Sequence, residues 1–113
     1  MEQSERALIL SALMDSQVIT TATVRPEHFS CERGAAIWQA MIGLIASGSP
    51  VDGVTLQNAL RSDPLSLEAL GHAMGESASP ANAHAYAEQI IDASRRREVY
   101  RIAKDTAQSS KSE

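Results

Sequence analysis

Side chains able to do chemistry are few in this 113-residue chain, and their spacing assembles no reaction centre. His28, His72 and His84 lie far apart, without the short spacing through which imidazoles share a metal. Cys31 is the single cysteine, which excludes an internal disulfide and a cysteine-based zinc site and suits a reducing cytosol. Neither Ser11 nor Cys31 has a His or Asp placed by the sequence to activate it as a nucleophile. Asp15, Asp52 and Glu68 form no acid/base pair and read as helix caps or solvated surface. Neither G-x-x-x-x-G-K-[ST] nor G-x-G-x-x-G occurs, and Gly48 and Gly53 read as helix punctuation. Four aromatic residues are too few for a base-stacking platform. The residues therefore point to no catalytic group, no bound cofactor and no metal site, and the chain reads as an interaction module.

Charge narrows the partners. Residues 1–92 hold four basic side chains against eleven acidic, a balance of −7, whereas residues 93–113 hold six against three, a balance of +3. An acidic body makes direct nucleic-acid binding a poor reading. The basic end, with Arg95, Arg96 and Arg97 in a row, could meet phosphate or an acidic partner, or could be a solvated face near a helix C-terminus. No apolar run approaches the ~20 residues that span a bilayer, and the N-terminus lacks a basic segment leading into an apolar one. A soluble cytoplasmic chain without membrane contact is the expectation.

The elements that must position any surface are helices. Glu5 to Met14 forms an apolar helix capped by Ser4, with Leu10, Leu13 and Met14 among its packing residues. Val18 to Val24 has β-branched composition, but no second strand exists to pair with it, so a short helix is expected. Pro26 to Phe29 reads as a turn that inserts Phe29 into the core and leaves His28 outside. A helix from about Glu32 carries Ile37, Ala40, Met41, Leu44 and Ile45 at helical spacing and stops at Gly48; Trp38 lies off that stripe and forms a second packing face. Asp52 caps a helix with Val54, Leu56, Ala59 and Leu60, which Asp63-Pro64 ends. Ser66 caps a short helix from Leu67 to Met74, lined by Leu67, Leu70 and Met74, with His72 outside.

One long helix closes the chain. Ser79 suits the N-cap and Pro80 the first helical position, and no Gly or Pro follows through Gln108. At 1.5 Å per residue the helix is roughly 43 Å long, longer than the roughly 34 Å diameter of a compact chain of this size. It should overhang its own domain. Ala83, Ala87, Ile90, Ile91 and Ser94 cluster on one side, and Val99, Ile102, Ala103 and Thr106 on another, rotated by roughly 120°. The first side is the floor of the core. The second, with Arg95 and Tyr100 beside it, is a surface for another polypeptide, unless the helix frays after Arg97. The fold expected is all-α: a small orthogonal bundle of about six helices over residues 4–108, with a protruding C-terminal helix and a flexible polar tail at residues 109–113.

Blocks that recur in order along the chain carry a family resemblance. Ser47-Gly48-Ser49-Pro50-Val51-Asp52-Gly53-Val54-Thr55-Leu56 resembles the S-G-x-P-[IV]-D-x-x-T-[LV] segment of the N-terminal domain of DnaB-type replicative helicases. Glu5-Arg6-Ala7-Leu8-Ile9 followed by Leu13-Met14-Asp15 resembles the opening E-Q-x-[VL]-L…L-D of that domain. Pro80-Ala81-Asn82-Ala83-His84-Ala85-Tyr86-Ala87 resembles its P-x-A-N-x-x-A-Y-A segment. Pro26-Glu27-His28-Phe29 is similar to its P-x-D-F, and Ile37, Met41 and Leu44 to its I-F-x-x-M-x-x-L helix. The chain departs from the pattern at Gly34, where the family has His, and lacks the Gly-Gly before the A-Y-L helix. The connection between Leu60 and Ser79 is also shorter.

The resemblance implies an all-α head followed by a helical hairpin through which two copies pair, three pairs forming a collar above the ATPase ring. It implies that the collar receives the helicase-binding domain of primase, with the helicase motor or its loader as further partners. Ser47, Gly48, Pro50, Asp52, Thr55, Asn82 and Tyr86 are the motif residues, and their implied role is structural. The long helix matches the first arm of the hairpin; the second arm, the linker helix and the motor domain have no counterpart in the 113 residues. Two functions follow: a non-catalytic oligomerisation and docking domain of a replicative helicase, or a free-standing phage or mobile-element mimic of the collar that regulates host helicase or primase. A helical DNA-binding domain is the third reading, and the acidic body weighs against it.

Overall fold

The computed structural model describes residues 1–111, with side chains through Gln108. Six α-helices follow in order: α1 (Gln3–Met14), α2 (Gln17–Thr21), α3 (Glu32–Ala46), α4 (Gly53–Ala59), α5 (Pro64–Met74) and α6 (Ala83–Lys111). Short 3-10 turns, Pro26–His28 and Pro80–Asn82, precede α3 and α6, and no strand occurs among the described residues. The all-α architecture and the long last helix match the expectation. Helix α6 runs three residues past the expected boundary at Gln108, and residues 112–113 lie outside the described residues.

Helix α1 is the central strut, packed along α6 and against α5. Its fully buried side chains are Leu8, Ile9, Ala12, Ser11 and Glu5, while Met14 is 59% exposed and Leu10 and Leu13 are half-buried. Leu13 packs on the core as expected, and the expected packing role of Leu10 and Met14 is corrected: a helix apolar on nearly every side carries little phase information, and its neighbours choose the face. The start is corrected too, since α1 begins at Gln3 with Glu2, not Ser4, at the cap. The Glu2 N–H donates to Glu5 Oε1 at 2.8 Å.

Between α2 and the turn at Pro26, Thr23 adopts φ +58°, left-handed for a β-branched residue. That reversal lets both Ala22 and Val24 face inward. Trp38, fully buried on α3, donates its indole N–H to the Val24 carbonyl at 2.8 Å and packs on Phe29 with ring centroids 5.7 Å apart. Gly34, one turn earlier on α3, lies under Phe29 and Met1: a Cβ there would stand 2.8 Å from Phe29 Cδ2. A side chain at that position has no room, which explains the departure from the family's His. Of the expected α3 stripe, Ile37 and Met41 are fully buried, and Ala40, Leu44 and Ile45 only half-buried. On α4, Leu56 and Leu60 point inward while Val54 and Ala59 face solvent.

Two further helix starts differ from expectation. Asp63, not Ser66, caps α5: its carboxylate accepts from the Ser66 N–H at 3.2 Å and the Ser66 hydroxyl at 2.6 Å. The face of α5 turned to the core carries Ser66, Leu70 and Ala73, all buried, while Met74 is 45% exposed. Ser79 makes no side-chain cap; its N–H donates to the Tyr86 hydroxyl at 3.2 Å. Ser79→Ala is accordingly expected to change stability by less than about 0.5 kcal/mol, not the ~1 kcal/mol of a lost cap. Thermal melts of the variant check this.

The caps also set the acid sensitivity of the fold. The Thr55 N–H holds the Asp52 carboxyl below its ordinary value, the Ser66 hydroxyl and N–H do so for Asp63, and the Ser77 N–H with Arg6 for Glu76. Carboxyls with lowered folded values add stability that is complete above their unfolded pKa of about 4 and is lost as pH falls through the folded values. The melting temperature should be flat near neutrality and drop below pH ~4. Glu76→Gln, which removes the Arg6 ion pair of 3.0 Å, should make that drop shallower.

Candidate interaction surface

The Ser47–Thr55 motif is a helix stop joined to a helix start. Gly48, at φ +73°, takes the left-handed position past α3 that costs glycine least. The Gly48 and Ser49 N–H groups donate back to the Ile45 and Leu44 carbonyls, and the Ser47 hydroxyl donates to the Leu44 carbonyl at 3.0 Å. Pro50 follows on the surface, and Asp52 and Thr55 close a reciprocal cap: Asp52 N–H to Thr55 Oγ1 at 3.0 Å, Thr55 N–H to Asp52 Oδ1 at 2.8 Å. Asn82 ends the second 3-10 turn with its N–H on the Ser79 carbonyl, and Tyr86 receives the Ser79 N–H. These residues shape two connectors and converge on no common pocket.

The candidate surface lies instead on α6. At 29 residues this helix is roughly 43 Å long, and the molecule measures 55 × 32 × 26 Å with a radius of gyration of 15.7 Å. A compact chain of this length has a radius nearer 13 Å. The excess is the overhang. Ala83, Ala87 and Ile90 are buried against the body, Ile91 and Ser94 half-buried, and everything from Arg95 through Gln108 is exposed. Arg97 marks the last contact with the head, its guanidinium donating to the His28 carbonyl at 2.8 Å. His28 is thereby half-buried, not the free turn residue expected, and its Nδ1 accepts the Arg25 N–H.

Beyond that contact, Val99 is 66%, Tyr100 70% and Ile102 51% exposed, and Ala103 and Thr106 continue the strip. Arg101 bridges Glu98 at 2.6 Å and Asp105 at 3.0 Å along the flank of the strip. Arg95 and Arg96 stay exposed. The strip holds helical spacing i, i+3, i+4, i+7, the pattern by which one helix lies on another. Among the described residues no group of three His, Cys, Asp or Glu side chains could hold a metal ion, and no helix is long and apolar enough to cross a membrane.

Several structural residues lay outside the sequence reading. Glu5 is 1% exposed, and its carboxylate accepts from the Ser30 N–H at 2.6 Å, the Ser30 hydroxyl at 2.7 Å and the Glu2 N–H. Arg6 and Glu76 tie α1 to the loop before α6. Only the capping-box spacing of Glu2 to Glu5 could have hinted at the first, and nothing local marks the second.

Comparison with known proteins agrees with this architecture. The N-terminal domain of DnaB helicase from Mycobacterium tuberculosis superposes with a TM-score of 0.87 at 20% identity, covering 97% of this chain and 84% of that one. The N-terminal domain of DnaB helicase from Helicobacter pylori, described with its interactions with primase, gives a TM-score of 0.80 at 19% identity, covering 96% and 89%. At these identities the likeness is one of fold. No curated protein sequence matches the chain. The family model for the DnaB-like helicase N terminal domain matches residues 1–92, the entire head with the buried part of α6. With most of its length matched, this chain belongs to the DnaB-like helicase N-terminal domain family.

Proposed function

We propose that the chain is a non-catalytic oligomerisation and docking domain of a replicative DNA helicase, acting in the cytoplasm. Its α6 pairs with a second copy, and the collar so formed receives the helicase-binding domain of primase. The observation that carries this reading is the exposed strip Val99, Ile102, Ala103 and Thr106 on a helix that has already left its own core. The helicase domain from Helicobacter pylori, studied with primase, supports the partner.

Pairing through this strip alone is weak. Two such strips bury a few hundred Å² at roughly 25 cal/mol per Å² of apolar area, well under the ~1,200 Å² of stable interfaces. Two-fold symmetry is the simplest closed arrangement. An antiparallel crossing offsets Arg95–Arg97 of one copy from those of the other, which a parallel crossing would stack. Sedimentation equilibrium tests the reading: the wild type should dimerise with rising concentration, and Ile102→Asp should stay monomeric with an unchanged melting temperature. A wild type that is monomeric at about 1 mM, a Kd too weak for about −4 kcal/mol of association, would remove the strip from the account.

A further inference from the structure

The head carries a second apolar surface, remote in sequence from the α6 strip. Helices α4 and α5 each pack on α3 but barely meet one another, leaving a groove of about 580 Å³ between them. Leu70 forms its floor, and Val54, 77% exposed, and Met74, 45% exposed, stand on its rims. Met74 lies against the start of α4, since a Cβ on Gly53 would stand 3.6 Å from Met74 Cε, and so closes one end. At Gly71 a Cβ would meet nothing within 4 Å, so the α5 wall is low and open to an approaching backbone. Single exposed apolar residues are ordinary. Two large ones, from separate helices, over one apolar floor form a small continuous apolar groove.

The groove also has a charge signature. Arg61 is its only charged lining residue. Every ion pair among the described residues involves other groups, so Arg61 stands without a carboxylate partner on a head whose overall balance is strongly acidic. Gln57 and Asn58 add amide donors along the same rim.

We propose that the α4–α5 groove docks an amphipathic helix of another protein, its apolar residues at i, i+3, i+4 and i+7 over Leu70 between Val54 and Met74, and a carboxylate at Arg61. A groove walled by two helices on a third accepts a helix by the same ridge packing that holds the bundle. The carboxylate relieves the isolated guanidinium and discriminates against basic helices, which include the overhang of a second copy with Arg95 to Arg97 and Lys104. An occupant of one helix buries less than the ~1,200 Å² of stable interfaces, so the contact is transient. The proposal deepens the docking role but stands apart from the pairing along α6.

The test uses a synthetic helical peptide with leucines at i, i+3, i+4 and i+7 and a glutamate one turn beyond, and a twin with lysine there. Amide shifts of the full chain are followed on titration. The glutamate peptide should shift Val54, Gly71 and Met74 and bind about tenfold tighter than its twin, and Arg61→Glu should invert that preference. Met74→Glu should weaken binding at least tenfold; if it fails to fold, Val54→Glu serves in its place. Equal affinity for the two peptides, binding unchanged in both rim variants, or shifts confined to Val99–Thr106 would overturn the proposal. Groove shifts that arise from protein concentration alone and vanish in Ile102→Asp would also overturn it, by making the occupant a second copy. A monomeric wild type that still discriminates the peptides would leave the groove standing and the α6 pairing fallen.

Discussion

Trp38→Ala is expected to cost roughly 3–5 kcal/mol, the range for truncating a large buried aromatic. The indole is the largest fully buried side chain in the molecule. It joins three consecutive segments: α3, on which it sits, the Phe29 ring beyond the first 3-10 turn, and the Val24 carbonyl behind Thr23. Truncation therefore opens a cavity and leaves a buried carbonyl without its donor, a second penalty of roughly 1–3 kcal/mol if water does not replace it. Against a total of about 5–15 kcal/mol for a domain, that is enough to leave the head partly unfolded at room temperature. Trp38→Phe separates the two effects, keeping much of the volume while losing the hydrogen bond, and should fall between wild type and Trp38→Ala. Urea titrations followed by far-UV circular dichroism measure all three, because Trp38 is the only tryptophan and its fluorescence disappears with it. Equal midpoints for wild type and Trp38→Ala would contradict the packing described.

Glu5→Ala is expected to be comparably severe, roughly 3–5 kcal/mol, for a different reason. Its carboxylate is the shared acceptor for two backbone N–H groups and one hydroxyl, at 2.6 to 2.8 Å, where α1 meets the loop entering α3. Alanine leaves those three donors without their charged acceptor. Glutamine is instructive because it keeps the shape. The Glu2 N–H and the Ser30 N–H address different oxygens, so the amide NH₂ must confront one fixed donor whichever way it turns. Glu5→Gln should therefore also destabilise, by roughly 1.5–3 kcal/mol, the worth of a hydrogen bond to a charged group. Hydrogen exchange at the Ser30 amide gives a local reading: its protection should fall in both variants before the α6 amides lose theirs. Melts of Glu5→Gln that coincide with wild type would mean the carboxylate is not needed as a twin acceptor.

The two effects exceed any expected at the surface. Residues on the α6 strip sit in solvent, and Ile102→Asp should alter association while leaving the fold intact.

By itself the sequence determined what local chemistry determines. Gly48 past α3, Asp52 before α4 and Pro80 before α6 mark helix ends because caps and breakers act within about four residues of themselves. The 3.6-residue phase of α6 was legible because its polar residues are many, so its buried and exposed faces, and the strip beyond Arg97, could be assigned from spacing alone. The ordered motif blocks already carried the family. Only the tertiary structure decided which side of a helix apolar nearly all round faces the core, as with Leu8 and Ile9 inside α1 and Met14 outside it. It moved the cap of α5 from Ser66 to Asp63, and it placed Met74 on a groove rim and not in the core. It removed the expected Ser79 side-chain cap and joined the Ser79 N–H to the Tyr86 hydroxyl instead, and it set Gly34 where a Cβ would stand 2.8 Å from Phe29 Cδ2. The links that lock the head join residues 25, 69 and 70 positions apart: Glu5 to Ser30, Arg97 to His28 and Arg6 to Glu76. No local pattern announces such partners, because each exists only once burial has brought two distant segments together and left their polar groups no water to bond.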